Sequence, residues 1–367
     1  MSDTAAVLKA LEGVISLDGR TPLPKSGALS EIVIHQGKAY FSISVPAADV
    51  RAAEGMRRAA EEAAKSVAGI SSAVVTLTAE KEAGAPARGA PKATPAPQGK
   101  QEIAGVKHII AVASGKGGVG KSTTAANLAV ALHRLGLKVG VLDADIYGPS
   151  MPRLFNLSGK PTLLDGRILQ PLEAYGLKVM SIGFLVEEET PMIWRGPMVM
   201  SAIRQMLYEV NWGDLDVLVV DMPPGTGDAQ LTLAQSVPLA GSVIVSTPQD
   251  LALIDARRGV AMFRKVEIPI LGIVENMSYF VAPDTGTRYD IFGHGGAEKE
   301  AQRINVPFLG AVPLAMPIRE TADAGKPIVL TEPDGPHAAA YIAVATKVRD
   351  ALAGGQGARQ APRIVFE

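Results

Sequence analysis

A glycine- and lysine-rich segment carries the clearest chemical signal in this sequence. It lies between an apolar run at 109–112 and a helix-like run at 125–132, so a buried strand, a tight turn and a helix N-terminus are expected in succession. Such a turn binds anions, because its backbone N–H groups point inward and the helix end adds positive potential. The spacing Gly115-x-x-x-x-Gly120-Lys121-Ser122 fits the phosphate-binding loop, whose lysine reaches the β- and γ-phosphates and whose hydroxyl binds Mg²⁺. The residues expected to bind a nucleoside triphosphate are Gly115, Lys116, Gly117, Gly118, Val119, Gly120, Lys121, Ser122 and Thr123.

Carboxylates follow two further apolar runs. Asp143 and Asp145 come after the run 137–142, and Asp221 ends the run 217–220. Two carboxylates at i and i+2 beyond a strand repel each other, but Mg²⁺ beside the phosphates makes that charge useful. An aspartate at the end of an apolar strand holds Mg²⁺ in many nucleotide-hydrolysing proteins, directly or through water. A solvated turn at the strand end is the alternative for Asp143 and Asp145.

Composition limits the class of protein. The chain has 367 residues, of which 47% are hydrophobic and 5% aromatic, so we expect an aliphatic α/β core rather than a disordered chain. The formal net charge of −1 gives no general attraction to nucleic acid or anionic membranes. The sequence has no run of transmembrane length and no secretory signal, so we expect a cytoplasmic protein with neither nucleic-acid nor membrane partners. It has no cysteine, so no thiolate can bind a metal.

The chain divides by composition into four parts. Residues 1–80 alternate helical and strand patterns in the order helix–strand–strand–helix–strand, which predicts a small α+β domain. Residues 81–102 are rich in proline and alanine and are expected to form a linker, and residues 354–367 a flexible tail. Between them, residues 103–353 alternate short aliphatic runs with helical segments, which predicts a mostly parallel sheet covered by helices on both faces.

Several segments together resemble one family. They are Lys116-Gly-Gly-Val-Gly-Lys121, the carboxylate segment 143–149, the Asp-Met-Pro-Pro-Gly-Thr-Gly-Asp of 221–228, Glu275-Asn276-Met277-Ser278 and the Gly-His-Gly-Gly-Ala of 293–297. The chain resembles the Mrp/ApbC ATPases of the SIMIBI class, which carry a P-loop NTPase domain with a mostly parallel sheet flanked by helices. The segment 1–80 is similar to the small domain that many of these proteins have at the N-terminus.

The resemblance implies roles for individual residues. Lys116 would cross a dimer interface to the partner's nucleotide, which implies an ATP-driven homodimer. Asp145 would orient the attacking water, Asp143 would hold a metal-bound water, and Asn276 would contact the adenine base. The expected activity is slow ATP hydrolysis with Lys116, Lys121 and Asp145 as catalytic residues, and with Ser122, Asp143 and Asp221 at the Mg²⁺.

One part of the family pattern is missing. The relatives are described as carriers of an iron–sulfur cluster, which paired cysteines hold between two subunits and pass to apoproteins. The usual Cys-x-x-Cys would fall at Ala282 and Thr285, and neither a methyl group nor a neutral hydroxyl replaces a thiolate ligand. Either a partner's thiols keep the cluster role, or this chain has kept the ATPase and lost direct carriage of the cluster.

Two other functions are open from the sequence. One is an ATP-gated switch like MinD or ParA, although the tail is too short and interrupted for a membrane helix and the charge does not favour DNA. The other is a nucleotide-gated scaffold that binds apoproteins through residues 1–80 and handles no metal. The leading hypothesis is a dimeric ATPase that acts with iron–sulfur apoproteins or assembly factors.

Overall fold

The computed structural model describes residues 3–30, 32–35, 38–46, 49, 52–70, 72–80, 102–164, 168–185 and 196–354. The chain divides into two compact units, residues 1–95 and 96–367. Most of the predicted linker and tail, residues 81–101 and 355–367, lies outside the described residues. No helix in the described ranges combines the length and the apolar character that crossing a bilayer requires.

The N-terminal unit is a three-stranded sheet with one buried face. Its elements are α1 (Asp3–Leu11), a 3₁₀ turn (Leu23–Lys25), β1 (Val33–His35), β2 (Lys38–Pro46), α2 (Glu54–Lys65) and β3 (Ser72–Glu80). The predicted order of helices and strands in this unit is therefore confirmed. β1 pairs antiparallel with β2, whereas β3 runs parallel to β2 because α2 carries the chain back before β3 begins. Alternate residues such as Phe41 and Ile43 are buried, and Tyr40 and Val74 lie opposite each other on the exposed face.

The described part of the second unit contains twelve strands, eight of them in one central sheet. The strands are β4 (Val106–Ala113), β5 (Val139–Asp143), β6 (Leu163–Leu164), β7 (Ile168–Leu169), β8 (Leu172–Ala174), β9 (Leu177–Ser181), β10 (Leu215–Asp221), β11 (Gly241–Ser246), β12 (Ile270–Glu275), β13 (Phe280–Val281), β14 (Arg288–Tyr289) and β15 (Phe308–Ala311). The central order is β15-β12-β11-β4-β10-β5-β9-β8, with β8 antiparallel and all the other pairs parallel. The predicted parallel sheet is confirmed, and β6–β7 and β13–β14 form two small hairpins.

Nine helices connect or flank these strands in the described part of the unit. They are α3 (Lys121–Arg134), α4 (Met151–Leu154), α5 (Gly196–Tyr208), α6 (Asp228–Ser236), α7 (Asp250–Lys265), α8 (Gly296–Arg303), α9 (Met316–Asp323), α10 (Ile328–Thr331) and α11 (Pro336–Ala353). The strand order reverses at β4: the chain leaves β4 through α3 toward β5 but later leaves β10 through α6 toward β11 on the other side. Right-handed crossovers in opposite directions place α3 and α6 on opposite faces of the sheet. The point of reversal, at the carboxyl ends of the strands, is where such sheets bind ligands.

α3 is the most deeply buried helix next to that point. Ten of its residues are buried, among them the small side chains of Ala125, Ala126 and Ala129. Small side chains let the helix approach both the sheet and α11, whose Tyr341 is fully buried. The turn between β4 and α3 therefore lies between a buried strand and a buried helix, which hold its two ends in place.

Candidate nucleotide-binding site

The carboxyl edge of the sheet brings the predicted chemical residues together. Asp221 at the end of β10 lies level with Val112 of β4 on one side and with Asp143 of β5 on the other. The loops that follow these strands enclose a cavity of about 240 Å³. The lining residues are Ser114, Lys116, Gly117, Gly118, Gly120, Lys121, Ser122, Thr123, Asp145 and Pro224.

The phosphate-binding loop has the conformation that its glycines were expected to allow. Gly118 and Gly120 both have φ of 79°, in the left-handed region that favours glycine. Space matters as well as conformation: a Cβ on Gly115 would overlap the backbone of Asp255 in α7, and one on Gly120 would overlap the Asn276 amide. The Ser114 hydroxyl donates to the Lys116 carbonyl at 2.9 Å and closes the start of the loop. The loop is thus packed on its outer side and open toward the cavity.

A buried ion pair joins the loop to β10. Lys121 Nζ lies 2.5 Å from Asp221 Oδ1 and 3.2 Å from the Ser122 hydroxyl oxygen. The side chains are 6% and 0% exposed for Lys121 and Asp221. Burial raises the pKa of Asp221, and the neighbouring Lys121 ammonium opposes that rise. The predicted phosphate-binding lysine is therefore held by the carboxylate that is predicted to hold Mg²⁺.

The oxygen donors at this position fit Mg²⁺. Asp221 Oδ2 is buried and has no hydrogen-bond partner among the described residues, so one carboxylate oxygen is available to a cation. The Ser122 hydroxyl stands next to the same ion pair. Carboxylate and hydroxyl oxygens are hard donors that suit Mg²⁺ with a nucleotide's phosphates.

Asp143 is engaged with its own loop. Its Oδ2 accepts hydrogen bonds from the N–H groups of Ser150 and Met151 at 2.9 and 3.0 Å and from the Ser181 hydroxyl at 3.0 Å. Its Oδ1 accepts one from the Asp145 N–H at 3.2 Å. Burial and the Asp221 carboxylate raise the pKa of Asp143 to about 7, against these hydrogen bonds and the charge of Lys121. Asp143 fastens the loop that carries Asp145, and its predicted contact with a metal-bound water stays a prediction.

Asp145 and Lys116 face the cavity from two sides. The Asp145 side chain is 9% exposed, and burial raises its pKa while Lys121 and the N–H groups of Gly148 and Tyr147 oppose the rise. Lys116 is half-buried at the cavity wall. The predicted roles of Asp145 toward water and of Lys116 toward a partner's nucleotide remain predictions.

Asn276 lies at the end of β12 against the phosphate-binding loop. Its Nδ2 donates to the Val119 carbonyl at 2.8 Å, and the residue is 6% exposed. This contact orients the amide beside the loop, and the adenine contact stays a prediction. Sequence patterns missed Ser181, whose hydroxyl donates to Asp143. They identified Glu275, which is 1% exposed, only as part of a family segment.

A second, larger depression lies along α5 and lacks the features of a nucleotide site. Its volume is about 490 Å³, and its walls are side chains of α5 and the residue after it. It lacks converging loops, helix N-termini and the glycine-rich backbone that phosphates need. The lining residues are Ser201, Arg204, Gln205, Tyr208 and Glu209.

The positions predicted to lack cluster ligands lie in the β13–β14 hairpin. The Ala282 N–H donates to the Thr287 carbonyl at 2.9 Å, and the Gly286 N–H donates to the Ala282 carbonyl at 2.8 Å. The Thr285 hydroxyl accepts from the Thr287 N–H at 3.3 Å. Within the described ranges no three His, Asp or Glu side chains are grouped to hold a metal ion, and the whole chain lacks cysteine. These donors do not fit an iron–sulfur cluster, which needs soft thiolates.

Known families match both units of the chain. Residues 105–349 match the family described as NUBPL iron-transfer P-loop NTPase, and residues 4–77 match the family described as iron-sulfur cluster assembly protein. The chain is 46% identical to an iron-sulfur cluster carrier protein of Synechocystis over 355 residues, 95% of this chain and 97% of that protein. It is 53% identical to the mouse iron-sulfur cluster transfer protein NUBPL over 263 residues, 71% of this chain and 80% of the relative.

Solved structures support the same assignment. A nucleotide-binding protein of Archaeoglobus fulgidus in complex with ADP is 42% identical, with a TM-score of 0.56 over 64% of this chain and 90% of its own. The cell division ATPase MinD of Pyrococcus furiosus is 22% identical, with a TM-score of 0.52 over 66% of this chain and 98% of its own, which shows a shared fold alone. The resemblance to the Mrp/ApbC ATPases is thus confirmed, and the chain belongs to the NUBPL iron-transfer P-loop NTPase family.

Proposed function

We propose that this chain is an ATP-hydrolysing homodimer that acts in iron–sulfur cluster assembly or in transfer to apoproteins, while thiolates of other proteins hold the cluster. The observation that carries the proposal is a glycine-rich loop beside Lys121, Asp221 and Asp145 on a chain that has no cysteine. The names of the relatives, iron-sulfur cluster carrier and transfer proteins, support the pathway. The missing thiolates support a role in driving the process rather than in holding the cargo.

The proposed reaction is phosphoryl transfer from ATP to water. Backbone N–H groups of the loop and the first turn of α3 bind the phosphates, and Lys121 moves from Asp221 to the β- and γ-phosphates. Mg²⁺ held by Ser122 and Asp221 would supply further neutralisation of phosphate charge. Asp145 accepts a hydrogen bond from the water and turns the water oxygen toward the γ-phosphorus. The water oxygen forms a bond to the γ-phosphorus as the bond from that phosphorus to the β-phosphate oxygen breaks, ADP leaves, and the water's proton passes to the released phosphate. Positioning and electrostatics account for the rate in such sites.

A second copy of the chain completes the proposed site. In the SIMIBI class the lysine equivalent to Lys116 contacts the partner's nucleotide, and Lys116 stands at the wall of the cavity. We therefore propose that ATP favours the dimer and that hydrolysis releases it. Slow turnover is expected, because each cycle requires two chains to associate and separate.

A cluster-transfer assay tests the proposal. A cluster-loaded thiolate scaffold and an apo-ferredoxin are mixed with ATP and Mg²⁺, with or without the full chain, and phosphate release and ferredoxin absorbance are followed together. We expect phosphate release and faster ferredoxin maturation with the chain, and neither with Lys121→Ala. The matched control Lys299→Ala, an exposed lysine on α8, should behave as wild type. Absence of ATP hydrolysis, or hydrolysis that leaves maturation unchanged, would contradict the proposal.

A further inference from the structure

Residues 279–295, here called the arm, project from the end of β12 beside the nucleotide site. The arm contains β13 and β14, which pair through Phe280–Tyr289 and Val281–Arg288. Its turn includes positions 282 and 285, where the family resemblance places paired cysteines and this chain has none. An isolated two-stranded hairpin is only marginally stable in water. Because the chain has no cysteine to bind a metal here, contacts between side chains and backbone must stabilise the arm.

The buried carboxylate of Glu275 holds both ends of the arm. Its Oε1 accepts a hydrogen bond from the Ser278 hydroxyl at 2.5 Å, and its Oε2 accepts one from the Ala297 N–H at 2.7 Å. Ser278 immediately precedes the arm, and Ala297 follows its last residue by two positions. One side chain of β12 thus closes the base of the hairpin.

Arg288 provides a cross-link within the arm. Its guanidinium carbon lies 4.3 Å from the centroid of the Tyr279 ring, at the start of the arm. Its Nε donates to Asp290 Oδ1 at 3.0 Å, and its Nη2 lies 3.0 Å from His294 Nδ1 near the end of the arm. A planar, permanently charged guanidinium can make all three contacts at once. Arg288 thereby joins the start of the arm to its end.

The base of the arm also contacts the phosphate-binding loop. Asn276 donates to the Val119 carbonyl, and the next residue, Met277, has φ of 55°, a conformation that side chains rarely adopt. Asn276 and Met277 both pack beside Gly120. A shift of the loop on phosphate binding would therefore change the contacts of Asn276 and Met277, the residues that lead into the arm.

We propose that Glu275 and Arg288 are positioning residues that hold the arm in a metal-independent conformation, and that this conformation responds to nucleotide through Glu275, whose neighbour Asn276 contacts the phosphate-binding loop. The response to nucleotide rests on the proposed function, because it requires ATP in the phosphate-binding loop. The metal independence does not rest on it. The two halves are tested separately.

Hydrogen exchange of the full chain tests the metal independence. We expect the amides of Ala282 and Gly286, which are hydrogen-bonded within the turn, to keep their protection in EDTA. Arg288→Ala should speed their exchange about tenfold, because local opening becomes easier. Arg288 is 46% exposed, so this variant should still fold, and the matched control Arg319→Ala on α9 should leave the arm unchanged. Loss of protection in EDTA alone, or unchanged exchange in Arg288→Ala, would overturn this half.

The same measurement with AMP-PNP and Mg²⁺ tests the response to nucleotide. Binding is followed in the same samples by displacement of a fluorescent ATP analogue. We expect AMP-PNP to alter exchange in the arm of the wild type and of the control Glu298→Gln, an exposed glutamate on α8. The response should vanish in Glu275→Gln, while its affinity for AMP-PNP stays within about threefold of wild type.

The possible outcomes distinguish failure of the inference about the arm from failure of the proposed function. The arm of Glu275→Gln could exchange faster than that of the wild type both with and without AMP-PNP, yet still change its exchange when AMP-PNP binds. That result would show that Glu275 has only a structural role, and it would overturn the inference. AMP-PNP that binds the wild type without altering the arm would also overturn it, and would leave the proposed function standing. AMP-PNP that fails to bind the wild type would overturn the proposed function together with the nucleotide half of this inference.

Discussion

The Lys121–Asp221 pair has two roles at the level of single residues. It pairs two buried charges, and it brings together the groups that would bind phosphate and Mg²⁺. Removing one partner of a buried pair typically costs about 3–5 kcal/mol of stability, because the other charge stays buried. Loss of ATP binding in Lys121→Ala is therefore informative only in samples that are shown to be folded.

Asp145 is expected to act on turnover rather than on binding. Its carboxylate lines the cavity but makes no ion pair in the described residues, so Asp145→Ala should leave ATP affinity almost unchanged. Losing the group that orients water should slow hydrolysis about 10²–10⁴-fold. Equilibrium binding and steady-state phosphate release measure the two effects, with Asp284→Ala in the exposed turn as the control. Normal turnover in Asp145→Ala would remove this residue from the mechanism.

Asp143 should make the stability of the nucleotide-free chain depend on pH. Its pKa is about 7 when folded, against an ordinary value of 3.8, so between these values the folded chain keeps a proton that the unfolded chain has lost. The free energy of unfolding should therefore fall as pH rises from about 4 to 7, by up to about 1.4 kcal/mol per pH unit from this group. Urea denaturation at pH 5, 6 and 7.5 without Mg²⁺ measures the slope. Asp143→Asn should flatten it, and an unchanged slope in that variant would count against the assignment.

Contacts between elements decide where the phosphate-binding loop lies. Gly120 ends the loop with φ of 79° and packs against Asn276 of the segment after β12. Gly120→Ala should lower the free energy of unfolding by about 2–4 kcal/mol, because it adds both backbone strain and a clash. Gly117→Ala is the matched control, since a Cβ there would have no neighbour within 4 Å. Equal stability of the two variants, measured by urea denaturation, would contradict this packing.

Some strands of the central sheet could be predicted from the sequence, and others could not. The apolar runs 109–112, 137–142 and 217–220 predicted β4, β5 and β10, because strands buried on both faces need continuous aliphatic side chains. β8 and β9 were missed, because β8 is a three-residue antiparallel edge strand without a continuous apolar run and Lys178 interrupts the apolar residues of β9. Without β9, the contact of its Ser181 with Asp143 could not be foreseen.

Local spacing predicted the phosphate-binding loop, whereas distant contacts stayed hidden. Lys121 and Asp221 were both selected, but their pairing depends on β4 and β10 being neighbours in the sheet. Glu275 was noticed only as part of a family segment, because its two hydrogen bonds join residues on either side of the arm. Patterns along the chain identify groups able to do chemistry, and the fold determines which of them meet.

The whole molecule combines the parts of its family with one change. Both units match iron–sulfur families, the residues of the candidate nucleotide site line one cavity, and the chain has no cysteine to bind a cluster. Under the proposed function, ATP hydrolysis by this chain acts on a cluster that a partner holds, because the chain has no soft donors to hold one. We therefore propose that nucleotide hydrolysis and cluster binding are separated in this protein.

Anaerobic reconstitution of the full chain tests whether ATP hydrolysis and cluster binding are separated. The full chain is incubated with iron, sulfide and reductant, desalted, and assayed for visible absorbance, bound iron and acid-labile sulfide, with ATP hydrolysis measured on the same preparation. We predict Mg²⁺-dependent hydrolysis of ATP and no bound iron or sulfide above background. A stoichiometric, stable cluster on this cysteine-free chain would contradict the claim.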